Sequence, residues 1–440
     1  MSSGTIIDAA AGNVPGMGVE DKARARYALG VFLLIHVFIN VDRSVISLVL
    51  EPIREEFKVS DSELGQLSVA FAMFFVFFGL PFGRWVDRGV RRNVLVLTTA
   101  FFSVMTALGG LASSFAHLLL SRAATGAGEA GAPPAAVSMI SDLFPPERRA
   151  RAMGIFYIGS PLGFILMFSL GGWLAQHLGW RSVFFVAGVP GLALALLAFL
   201  TVREPRRGQA DALSVDRTVS WTETFRFIVT QPGLQHMMAI AVVMNLLTTA
   251  VSVWALSFLV RSHDLSIASG GMIMAIAYGG MGVLGPLLGG WVSDTMSRRN
   301  VIWRGMSPAI THLAAMPALV WFLLSPSTLG AAIALGIWAV LNFSLYPPTI
   351  TLTQLLAPPR MRGTSIAIYY LIAHVAGVGG GPLLAGILSD WLGDSHGVES
   401  LRYALLIMSV AHIWSAFHFY RIGRNAKADI ERANAAANAI

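Results

Sequence analysis

The sequence contains no cysteine, so disulfide cross-links and thiolate metal sites are excluded. Charge is scarce as well. Asp, Glu, Lys and Arg make up 12% of the 440 residues, about half the ~25% usual in soluble domains. That is too little to coat a water-facing surface of this size, and lipid is the expected solvent for most of it. Enzyme signatures are missing too. No Gly-x-x-x-x-Gly-Lys-Ser/Thr loop occurs, which disfavours ATP-driven transport, and there is neither a His-Glu-x-x-His motif nor a supported Ser/His/Asp order. No catalytic residue, metal or cofactor is expected.

What the chain has is apolar length. Residues of apolar type make up 55% of it, and they gather in twelve runs near 27–50, 64–86, 93–113, 115–141, 150–173, 180–200, 235–260, 267–293, 301–324, 328–355, 363–389 and 400–420. A helix needs about 20 such residues to cross a bilayer. The short alternating segments of a membrane β-barrel are absent. The expected fold is therefore all-α and integral to the membrane, with twelve transmembrane helices. With both termini cytoplasmic, 24 of the 31 Lys and Arg residues fall in cytoplasmic segments and 5 in external loops, a strong positive-inside bias. The net charge of +7 then reflects loop bias and gives no reason to expect nucleic acid. No cleavable signal peptide is evident.

The chain divides into a disordered cytoplasmic tail at 1–26, a six-helix bundle at 27–202, a linker at 203–234, a second six-helix bundle at 235–421 and a cytoplasmic tail at 422–440. Within the linker, Trp221 to Val229 alternates aromatic and polar residues. It is either an interfacial segment or a simple lead-in to span seven. The two bundles repeat each other. Gly83, Asp87, Arg91 and Arg92 after span two superpose on Gly290, Asp294, Arg298 and Arg299 after span eight at a constant offset of 207. Pro133-Pro134, Pro145-Pro146 and Arg149 are echoed by Pro347-Pro348, Pro358-Pro359 and Arg362. Parallel duplication is a transporter architecture, with the substrate site near the midplane between halves.

Charges inside spans are costly and face a bundle interior or cavity. Span four carries Arg122 and Glu129 seven residues apart, hence on one helix face about 10 Å apart. Span one carries Asp42 beside Arg43; adjacent residues point about 100° apart, so one of the two is expected to face the cavity and the other to pair with a neighbouring helix. A carboxylate in such a place can change protonation as the cavity alternates, which makes Asp42 and Glu129 the proton-coupling candidates. Arg43 and Arg122 are the candidate forks for an anionic substrate. The second half has no Asp, Glu, Lys or Arg in the cores of its spans. Asn245, Asn342, Tyr346, Tyr370 and His374 are its candidate substrate contacts.

The loop Gly83-x-x-x-Asp87-Arg88-x-x-Arg91-Arg92 resembles the signature of the major facilitator superfamily. Gly83 is expected to permit close backbone approach, with Asp87, Arg88, Arg91, Asp294 and Arg298 forming a gating latch on the cytoplasmic rim. Asp42-Arg43, Gly128-Glu129-Ala130, Asp142-Leu143-Phe144, Gly154-Ile155-Phe156-Tyr157, Gly159-Ser160 and Gly179-Trp180-Arg181 narrow the likeness to the Spinster family. The match covers spans one to six well and the second half more loosely. It departs at Pro161, which follows Gly159-Ser160 instead of preceding them, so the family's helix-five kink is not carried over.

The resemblance implies a two-bundle transporter of the bacterial inner membrane that alternates between inward- and outward-open states. Proton coupling is what the buried charges suit. Its expected substrate is amphiphilic and lipid-like, of lysophospholipid or sphingolipid type. The other transport reading is a proton symporter of small organic anions such as sugar acids; a non-transporting receptor has little support. Membrane lipids and protons are the expected partners, and the chain is expected to act as a monomer.

Overall fold

The computed structural model describes residues 19–208 and 220–439. Every regular element among them is helical, as lipid demands of a chain that must satisfy its own backbone polar groups. Among the described residues, ten helical stretches are long and apolar enough to cross a membrane. Expected span four is split, into Phe115–Glu129 and Ala132–Leu143, and expected spans eleven and twelve lie within one nearly continuous helical run, Pro359–Ala436. Neither piece of span four has the length of a crossing. Pro133 and Pro134 stand at the start of the second piece, where their missing N–H groups interrupt the helix.

Contacts divide the chain into two units. The first is Met1–Lys58 with Ala70–Ser214, and the second is Val59–Val69 with Val215–Ile440. The first contains α1 (Val19–Phe57), most of α2 (Asp61–Arg88), α3 (Arg91–Gly109), α4 (Phe115–Glu129), α5 (Ala132–Leu143), α6 (Pro146–Tyr157), α7 (Gly159–Leu166), α8 (Gly172–Leu178) and α9 (Trp180–Thr201). Its core is built on Phe32, Phe102, Met139, Phe144 and Phe156. The helix-five break falls between α6 and α7: Pro161 has no N–H for the carbonyl of Tyr157, four residues earlier. A Cβ at Gly163 would press on the Val37 carbonyl and Asn40, so this glycine lets α7 lie directly against α1.

The second unit contains α10 (Trp221–Thr230), α11 (Pro232–His263), α12 (Ile267–Ile273), α13 (Leu284–Ser297), α14 (Trp303–Leu324), α15 (Thr328–Phe343), α16 (Tyr346–Leu355), α17 (Arg362–Ala373), α18 (Gly381–His396), α19 (Ser400–Ser409) and α20 (Ala411–Ala439). Leu234, Met237, Leu352, Phe419 and Ile422 are central to its core. The sequence repeat becomes a structural one, because Pro347-Pro348 separate α15 from α16 as Pro133-Pro134 separate α4 from α5. Three spans also carry a π-helical stretch: Met167–Gly171, Met274–Gly280 and His374–Gly380. Such segments change the helix phase locally and are frequent at functional sites.

Three boundaries differ from expectation. Residues 19–26, placed in a disordered tail, are the first turns of α1; the rest of that tail, 1–18, lies outside the described residues. The C-terminal tail continues as α20, held because Asp429 is buried and pairs with Arg432 while its carbonyl accepts from Gln231. Finally, residues 59–69 fold with the second unit. Arg261 donates two bonds of 2.7 Å to the Asp61 carboxylate, and Ser389 adds a third. Asp390 accepts from the backbone N–H groups of Asp61 and Ser62, capping the exposed donors at the start of α2.

The exterior is apolar. Phe77, Leu120, Leu200, Leu287, Leu329 and Trp391 are 68–74% exposed, a surface that lipid solvates and water would not.

Candidate functional site

Both charges of α1 engage α4. Arg43 Nε donates to Glu129 Oε2 at 2.7 Å, and Arg122 Nη1 donates to Asp42 Oδ2 at 3.2 Å. The expectation that only one of Asp42 and Arg43 would pair is therefore corrected: the two-turn spacing of Arg122 and Glu129 offers each a partner. A hydroxyl from α3 completes the cluster, with Thr106 Oγ1 donating to Asp42 Oδ1. The glycines of α4 serve this geometry. A Cβ at Gly126 would collide with the Phe71 backbone and one at Gly128 with Phe102, so α2 and α3 can close on the charged helix.

The two pairs differ in access. Asp42 and Glu129 are fully buried and Arg122 is 3% exposed, whereas the Arg43 side chain keeps 30% of its surface. Arg43 is thus the guanidinium of the two with a face left to offer. Each arginine also lies over an aromatic ring of α2, Arg43 over Phe75 at 5.5 Å and Arg122 over Phe71 at 5.2 Å. Among the described residues Glu129 Oε1 has no hydrogen-bond partner. A buried carboxylate with one oxygen unsatisfied has a place for a proton.

Further along α1 the same face carries Asn40 and His36. Ser160 donates to Asn40 Oδ1 at 2.9 Å, and the His36 ring lies tilted against Phe156 with centroids 4.3 Å apart. Sequence reasoning overlooked Thr106, His36 and Asn40. The spacing of Thr99, Ser103 and Thr106, one face of one helix, was the available signal for the first.

In the second unit the expected residues fall into two groups. Asn342 is 1% exposed and exchanges bonds with Thr248, which places it in packing between α11 and α15. The others are more open. Tyr370 is 40% exposed and packs edge-on against Tyr369 at 5.8 Å. Tyr346 stacks on Phe343, and Phe343 meets Tyr278; Tyr369, beside Tyr370, is 4% exposed. His374 opens the π-helical stretch of its span and lies 3.2 Å from the Tyr370 carbonyl. Aromatic rings and hydroxyls, with no fixed charge, make up this cluster.

A family model described as Major Facilitator Superfamily matches residues 32–381. The chain belongs to that superfamily. An "MFS-type efflux pump" of Mycolicibacterium smegmatis is 30% identical over 390 residues, 88% of this chain and 90% of the pump. The sphingosine-1-phosphate transporter SPNS2 of Danio rerio is 26% identical over 86% of this chain and 80% of its own. Among solved structures, an inward-facing, unoccupied bacterial homologue of the human lysosomal transporter Spinster superposes with a TM-score of 0.83 at 27% identity, covering 92% of this chain and 98% of that one. The protein is a Spinster-like transporter of the membrane, and no enzyme.

The superfamily loop motif reads differently in space from its expected role. Nothing lies within 4 Å of a Cβ built at Gly83, so close backbone approach is not what this glycine provides here. Asp87, Arg88, Asp294 and Arg298 are exposed, and neither aspartate forms an ion pair among the described residues. Arg91 is instead a buried anchor, 1% exposed. It pairs with Asp142, with Glu204 at 2.8 Å and with the Pro205 carbonyl, tying the start of the linker to the end of α5.

Proposed function

We propose that this transporter couples proton movement to an amphiphilic substrate with an anionic or zwitterionic head, using alternating access in a bacterial inner membrane with both termini cytoplasmic. The observation that carries the proposal is the pair Arg43–Glu129: a buried carboxylate, half satisfied, on the one guanidinium of the site that keeps open surface. An anionic head that takes Arg43 removes the cation from Glu129. A buried carboxylate without its cation is strongly disfavoured, and the relief is a proton. Proton and head therefore bind in support of each other. Asp42, held by Arg122 and Thr106, belongs to the same buried cluster.

The tyrosine-rich cluster of the second unit suits an apolar tail, in keeping with a relative that carries sphingosine 1-phosphate. Asp87 and Asp294, with Arg88 and Arg298, serve as rim contacts in a state in which they are paired. A sugar-acid carboxylate fits the open face of Arg43 as well as a phosphate does, which keeps the organic-anion symporter as the second reading. Purified protein in proteoliposomes, offered a lysolipid series and a sugar acid under an imposed pH gradient, separates them. Accumulation that grows with acyl length supports the first reading, and tailless substrate moved as well supports the second.

A further inference from the structure

The ten-residue helix α10 presents three distinct faces. Thr224 and Ile228 are buried and Phe227 packs with them against the core of the second unit. Thr222, Glu223, Arg226 and Thr230 fill an arc about 100° to 200° past Trp221, and all four are exposed. The third face is neither packed nor polar. Trp221, Phe225 and Val229 recur every fourth residue, about 40° apart, and are 49%, 54% and 47% exposed.

The helix is held in place. Ser220 caps its start by accepting from Thr222 N. At its end Gln231, 3% exposed, donates to the Asp429 carbonyl and accepts from Arg432. This fixes the elbow at Gln231, and Pro232 begins the next span at once. Ten residues span about 15 Å, so the whole stripe lies within that distance of the point where α11 enters the membrane.

We infer that α10 is an interfacial anchor whose Trp221, Phe225 and Val229 stripe inserts into the headgroup–acyl boundary of the bilayer leaflet in which α11 begins. The occupant is lipid because the stripe is continuous with a lipid-crossing helix and is bordered by Arg226, an exposed cation of the kind that borders interfacial helices and meets lipid phosphates. Trp and Phe are the side chains favoured at that depth. Glu223 faces away, toward water. That the leaflet is the cytoplasmic one rests on the topology proposed above; the insertion itself does not.

The native chain has no cysteine, so single spin labels can be placed at Phe225→Cys, Val229→Cys, Glu223→Cys and Thr230→Cys in full-length protein in phosphatidylcholine–phosphatidylglycerol nanodiscs. Accessibility to oxygen, which partitions into lipid, is compared with accessibility to a water-soluble nickel chelate. Positions 225 and 229 are expected to favour oxygen, and 223 and 230 the chelate. Chelate-accessible stripe positions would place the helix in water, and stripe positions shielded from both reagents would mean a protein partner covers it; either result overturns the inference. If Phe225→Cys fails to fold, Val229→Cys against Thr230→Cys decides alone, since those neighbours lie on opposite sides of the boundary.

Discussion

At residue scale, Glu129 and Arg43 have separate tasks in the proposed mechanism, one for the proton and one for the substrate head. Glu129→Gln keeps the shape and a hydrogen-bond acceptor for Arg43 but cannot release a proton. Substrate binding and thermal stability should stay near wild type, while transport driven by a pH gradient falls to background, as measured by uptake into proteoliposomes with and without the gradient. The two arginines should also separate. Arg43→Lys loses the planar fork and should weaken head binding by about tenfold, roughly 1.4 kcal/mol, with little change in melting temperature. Arg122→Ala strands the buried Asp42 carboxylate and should destabilise the fold by about 3–5 kcal/mol, read by thermal unfolding in detergent. Equal effects of both substitutions on binding alone would undo this division. The four charged residues were legible in sequence because any charge within an apolar run is conspicuous. Thr106 was not, since hydroxyls in spans usually bond their own helix and nothing in the sequence says which one turns to a carboxylate.

At the scale of elements, the prolines carried a signal that the expected spans, drawn straight through Pro133-Pro134 and Pro347-Pro348, did not use. Pro133-Pro134 and Pro347-Pro348 mark breaks that the structure places in both halves, and Pro161 marks the one between α6 and α7. The π-helical stretches were invisible, because a shift of helix phase is set by what the helix packs against and not by its composition. Nor could the sequence tell that residues 59–69 fold with the second unit; that depends on Asp61 meeting Arg261, 200 positions away. This buried pair, 3% and 7% exposed at its side chains, makes its own prediction. Asp61→Asn leaves Arg261 without its counter-charge and should favour states in which 59–69 is detached. A cysteine at Ser62→Cys should then react faster with a membrane-impermeant maleimide in the Asp61→Asn background, by about tenfold for each 1.4 kcal/mol of lost contact. Unchanged labelling would mean the segment stays attached without the pair.

At the scale of the whole molecule, duplication was readable from the motifs spaced 207 apart, while the division of labour between units came from burial. The first unit holds the crossed ion pairs and the second an uncharged aromatic cluster. The proposed head–tail substrate suits that contrast. Affinity should rise along a lysolipid series by up to about 0.8 kcal/mol per buried methylene and then level off once further methylenes find no apolar surface to bury against, as followed by competition binding. The central claim is that the Arg43–Glu129 pair links the head of this substrate to a proton. Its most direct test imposes a substrate gradient, without any pH gradient, on proteoliposomes containing an internal pH indicator. Wild type should move protons with the substrate, while Glu129→Gln moves substrate and leaves internal pH unchanged. Equal proton movement in the two proteins would contradict the account.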